Sequence, residues 1–271
     1  MPRPTDLRAV LLLFFLSGAT GLLYQVVWVR HFVHVFGATV LAVSTVLAAF
    51  MGGLALGGLA GGRLVARTRN PLRLYGLLEI GLAAYAGFVP VLLHWIHPLY
   101  GSFYSGMEGS FWGLSALRFV VSVILLLPPT FLMGATLPLL TGHAERASVG
   151  QDPGWVKRRV AWLYAINTFG AVAGTFSASF FLLPGLGLTR TLWLGVAINV
   201  GVGLVALVVS RGAAGSVPGD AAAEEPGDDP AVTADTLPAS PLPAAAVLTT
   251  AGVLGFSALA LEVLWTRTLS L

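Results

Sequence analysis

The chain has 271 residues, 56% of them hydrophobic and only 10% charged, with a mean hydropathy of +0.84. Soluble domains carry roughly 25% charged residues, so this composition argues for a protein built to lie in lipid. The absence of cysteine excludes disulfides, thiolate metal sites and cysteine nucleophiles, and the net charge of +3 divides into −5 on residues 211–243 and +8 on the rest.

A helix rising about 1.5 Å per residue needs around 20 apolar residues to cross a hydrocarbon core of about 30 Å. Seven segments meet that requirement: Ala9 to Val29, Ala38 to Ala60, Leu72 to Leu93, Leu114 to Leu137, Val160 to Leu183, Thr191 to Val209, and Ala244 to Trp265. The first begins like a secretory signal, with Arg3 and Arg8 before it and small residues at Ser17 to Ala19. Its apolar run continues through Leu22 to Val29, so an uncleaved helix is expected.

Placing the N-terminus in the cytoplasm puts 11 of the 15 Lys and Arg residues on the inner side, and leaves Arg30, Arg118, Arg190 and Arg267 at the outer ends. The expected outer loop from His94 to Gly113 carries neither Lys nor Arg. This is the charge asymmetry of a multi-pass inner-membrane protein, and it accounts for the basic excess without invoking nucleic acid. Residues 211–243 are rich in Pro, Gly, Ala and acid and contain no aromatic residue. They are expected to form a disordered cytoplasmic linker between a six-helix bundle, residues 1–210, and a last helix within 244–271.

The last segment repeats the first. Gly18 to Arg30 reads G-A-T-G-L-L-Y-Q-V-V-W-V-R, and Gly255 to Arg267 reads G-F-S-A-L-A-L-E-V-L-W-T-R, at a constant offset of 237 residues. Six spans, a linker and a restart of the first motif follow the plan of transporters made of two parallel six-helix halves. Seven helices cannot complete such a unit, so this chain is expected to be an inactive fragment of a longer protein.

With these motifs in view, the chain resembles the membrane part of the fused major facilitator and spermidine synthase proteins. The resemblance rests on Tyr24 to Arg30, the glycine-rich Gly52 to Leu64, Pro71 to Glu79, Leu127 to Leu140, Tyr164 to Gly174 and the second copy ending at Arg267. It implies an all-α, facilitator-like half followed by the first helix of the second half. Beyond it the resemblance implies a cytosolic aminopropyltransferase-like domain, none of whose active-site residues has a counterpart here. One departure concerns the loop motif Gly62, Arg63, Arg67 and Arg69: Ala66 stands where the facilitator signature carries an Asp before its Arg.

Ionised groups at the centre of a bilayer are costly, so those present need partners or a wet cavity. Tyr24, Gln25, Arg30, Arg118, Asn167, Glu262 and Arg267 are candidates for a solute path or outer gate. Against this stands the reading that Arg30 and Arg267 only anchor helix ends, with Trp28 and Trp265 in an aromatic belt. Glu79 is assigned a structural role with a basic or hydroxyl partner, and Asn167 either bonds between helices or faces the cavity. Glycines 53, 57 and 61, and likewise 170 and 174, form stripes for close helix packing. Pro128 and Pro129 mark a kink. His31, His34, His94 and His97 could meet at the outer face, but no metal and no cofactor is expected. Two functions remain open: a membrane unit that moves or senses a small, polyamine-like cationic solute, and a scaffold that anchors a cytosolic synthase-like domain. Catalysis within the helices has no nucleophile and base to support it.

Overall fold

The computed structural model describes residues 4–37, 40–106, 110–146 and 153–214, together with parts of 243–261. It divides into two units, Met1–Gly215 and Ser216–Leu271. The first holds α1 (Pro4–Phe36), α2 (Val40–Arg67), α3 (Pro71–Gly106), α4 (Phe111–Arg146), α5 (Pro153–Ser177) and α6 (Leu183–Ala214), with a π-helical turn at Ala178–Leu182 between the last two. No strand occurs among the described residues. In the second unit the described residues 245–246, 249–250, 252–255, 257 and 260–261 are helical, and Glu262, Trp265 and Arg267 lie outside the described residues.

Local chemistry sets the helix ends. Asn70 caps α3 by accepting from the backbone N–H of Arg73 at 3.0 Å, while Pro71 takes the first helical position, where its missing N–H costs nothing. Ser110 caps α4 through the N–H of Gly113 at 3.2 Å. Gly37, with φ of 83°, ends α1 in the left-handed conformation that glycine alone adopts freely.

Two boundaries differ from the sequence expectation. The segment expected as an outer loop after His94 is helical as far as Gly106, because Trp95 and Ile96 prolong the apolar helical pattern beyond Pro90, and Leu99 carries it past Pro98. Further along, no loop separates the fifth and sixth expected spans: Gly154–Arg211 extends over 58 residues as one of five described segments long and apolar enough to cross a membrane. A straight helix of that length would measure roughly 87 Å. Gly187, at φ 77° and ψ 175°, is not helical and breaks it into two lengths.

The six helices alternate in direction. α1 packs on α5, and α2 on α4, as parallel pairs; α3 packs antiparallel on α6, and the contacts α3 with α4 and α1 with α6 close the bundle. Replacing each helix by the one three places along converts α1·α5 into α4·α2 and α3·α4 into α6·α1, and returns α3·α6 to itself. The packing thus has an internal twofold relation between α1–α3 and α4–α6. Glycine carries both parallel seams. A Cβ at Gly53, Gly57 or Gly61 would strike Thr130, the carbonyl of Phe131 or Ala135 of α4; one at Gly170 or Gly174 would strike the carbonyls of Phe15 or Ala19 of α1. The two stripes anticipated from sequence are therefore the contact lines of these pairs.

Candidate functional site: a buried polar layer

The apolar core falls into two clusters. One, towards the Arg30 end, includes Leu23, Tyr24, Trp28, Phe50, Leu82, Leu126 and Leu192. The other, towards the Arg146 end, includes Val10, Phe14, Leu72, Tyr75, Leu139, Leu163 and Val202. Between them in sequence, on four helices, lie buried polar side chains: Ser17 and Thr20 of α1, Glu79 of α3, Thr130 and Thr136 of α4, and Asn199 of α6.

Most of these hydroxyls satisfy themselves within their own helix. Thr20 donates to the carbonyls of Leu16 and Ser17 at 3.0 Å, and Thr130 and Thr136 donate to those of Leu126 and Met133 at 2.6 Å. Ser17 is different, since its hydroxyl donates across to Glu79 Oε1 at 2.5 Å. Tyr75, one turn before Glu79 on α3, stands beside both and donates to the carbonyl of Leu13 at 3.3 Å. Glu79 is fully buried, and its second oxygen has no hydrogen-bonding partner. Neither amide atom of Asn199 has one, nor does the hydroxyl of Tyr24. Buried polar groups are almost always paired; these orphans lie on α1, α3 and α6, and Trp28, His31, Ser122 and Arg159 carry further unpartnered atoms elsewhere among the described residues.

The remaining sequence candidates are dispersed. Tyr24 stacks on Trp28, with ring centroids 5.3 Å apart and planes inclined by 9°, and both are fully buried. Trp28 is therefore a core residue and not part of a surface belt. Gln25 is half-buried, whereas Arg30 is exposed and shares a cavity of about 230 Å³ with His34, Leu183, Pro184 and Leu188. Arg118 lies two turns into α4 and is half-buried. Asn167 sits on the α1·α5 seam, with its backbone carbonyl and side-chain oxygen against Gly18. Gly62, Arg63, Arg67 and Arg69 are exposed at the opposite end, where Arg63 and Arg67 border a cavity of about 290 Å³. Among the described residues no cluster of three metal-ligating side chains forms, and the side chain of His97 lies outside them.

Besides the hydroxyls around Glu79 and on α4, three further residues were not singled out from sequence. Asn199 is one. Arg146 is another: from the end of α4 its guanidinium donates to the carbonyls of Val65 and Thr68 at 2.6 Å and of Arg69 at 3.3 Å, closing the C-terminus of α2. The third is Tyr85, whose hydroxyl donates at 2.9 Å to the carbonyl of Leu125. That carbonyl lies four residues before Pro129, which has no N–H to offer it. Only the carbonyl was foreseeable.

Comparison with known proteins adds one relation. The chain is 33% identical over 190 residues to polyamine aminopropyltransferase 2 of Streptomyces coelicolor, a match covering 70% of this chain and 32% of that protein. The chain thus spans about a third of the length of the curated relative it matches. No family model and no solved structure matches.

Proposed function

We propose that this chain is a piece of the membrane portion of an aminopropyltransferase-like protein, lying in the inner membrane as a facilitator-type half-bundle with its arginine-rich end in the cytosol. In this reading the complete protein moves or senses a small, polyamine-like cation. The observation that carries the reading is the relation to a polyamine aminopropyltransferase over 190 of the 271 residues, in a chain with five described segments long and apolar enough to cross a membrane.

Two features of the bundle support it. The twofold relation between α1–α3 and α4–α6 is the kind of internal repeat from which facilitator halves are built. A polar layer at mid-height is where such proteins hold solute and coupling ions, whereas a mere anchor gains nothing from burying Glu79 and Asn199. The alternative is that the helices only tether a cytosolic synthase-like domain, and it rests on the relative being named an aminopropyltransferase.

Flux of labelled polyamine into vesicles containing the full-length protein separates the two. Substrate-dependent flux supports transport; its absence alongside intact aminopropyl transfer supports the anchor. Glu262 is proposed to counter the cation, so Glu262→Gln is expected to abolish uptake, and unchanged uptake removes Glu262 from the mechanism.

A further inference from the structure

We propose that the junction of α1, α3 and α6 is a proton-binding site, with the Glu79 carboxyl as the group that takes up and releases the proton. The inference rests on the reading that the bundle lies in lipid, and it concerns a different acid from the one proposed to meet the solute.

The geometry is that of a carboxyl held for a proton. One oxygen, Oε1, is fixed by the Ser17 hydroxyl, while the other is buried and unpartnered. An ionised carboxylate in such a place would need a cation or several donors, and the described groups acting on Glu79 are two neutral hydroxyls, of Ser17 and Tyr75, and no cation. α1 contributes Ser17 and Tyr24, and α3 contributes Tyr75. α4, the other helix packed on α3, sets apolar Leu132 beside Gly81 and the carbonyl of Leu125 beside Tyr85; its Arg118 and His143 lie near its two ends.

α6 contributes Asn199 by register. Gly195 abuts Leu23 and Tyr24 of α1, and Gly203 abuts Gly76 and Ile80 of α3, so Asn199 falls one turn from each, between the two contact points. Its unpartnered amide is neutral and both donates and accepts, which suits a group facing a carboxyl that is alternately protonated and bare. Closed, as here, the junction retains the proton. Parting α1 from α6 at the Gly195 contact would admit water to the carboxyl and release it, so the protonation of Glu79 and the state of the bundle are linked.

The test is infrared difference spectroscopy of the full-length protein in lipid nanodiscs, in H₂O and D₂O, from mildly acidic to mildly alkaline buffer, in a Glu262→Gln background that removes the acid proposed to meet the solute. Glu79→Gln is compared with its parent. The expected result is a protonated-carboxyl band that disappears with rising pH, shifts in D₂O and is absent from Glu79→Gln. A band that persists at every pH, or spectra identical with and without Glu79, would overturn the proposal. Failure of the protein to enter nanodiscs would instead count against the membrane reading beneath it, and with it the proposal.

Discussion

The Ser17 hydroxyl reaches 62 residues along the chain to donate to Glu79 at 2.5 Å, joining α1 to α3 at the level where the apolar core changes from one cluster to the other. Removing a donor from a buried acceptor exposes the full cost of its desolvation, about 1–3 kcal/mol. Ser17→Ala is therefore expected to lower the stability of the protein in detergent by that amount, read as a reduced midpoint of thermal or denaturant unfolding. Ser17→Thr, which keeps the hydroxyl, should retain most of it.

The glycine seams give a paired prediction. At Gly57 a methyl group would meet the backbone carbonyl of Phe131, which cannot move aside as a side chain can, so Gly57→Ala is expected to destabilise by about 1–3 kcal/mol. At Gly62 a Cβ meets nothing within 4 Å, and Gly62→Ala should stabilise by about 0.5–1 kcal/mol through helix propensity alone. Equal effects at the two positions would show that the α2·α4 contact is not set by glycine.

Tyr85 and Pro129 form a natural double-mutant cycle. Tyr85→Phe leaves the Leu125 carbonyl without its donor and should cost about 1 kcal/mol. Pro129→Ala supplies the missing backbone N–H, so the tyrosine substitution made in that background should cost clearly less. Strictly additive unfolding energies would disconnect the two residues.

Arg146 is exposed, and its removal is expected to act locally. Arg146→Ala frees the carbonyls of Val65, Thr68 and Arg69, so amide exchange should rise at the end of α2 and in the turn to α3 while the global unfolding midpoint shifts little. Unchanged exchange over residues 65–73 would mean the guanidinium does not hold that turn.

Sequence carried the helices well and their partners poorly. Apolar runs announce a helix because length and composition decide the matter, and a glycine every fourth residue announces a seam. Nothing in Gly53, Gly57 and Gly61 names α4 as the opposite wall, since that choice depends on how six helices share one core. Glu79 was visible as an acid inside an apolar run, but its donor lies 62 residues away on another helix. Asn199 left a signal of the same kind, a lone amide among Gly, Val and Ile, whereas Arg146 looked like any other basic residue at a helix end. Trp28 illustrates the opposite error: a tryptophan near a helix end suggests an interfacial position, yet stacking on Tyr24 draws it inside.

The parallel seams impose an order on how the protein is made. Phe15 of α1 waits for Gly170 of α5, 155 residues later, and at about 5–20 residues per second that interval is roughly 8–31 s. Throughout it the first helix has emerged from the ribosome with its small-residue groove uncovered. The groove therefore stays without its native cover until the fifth helix arrives, and whatever occupies it in that interval must give way to Gly170 and Gly174.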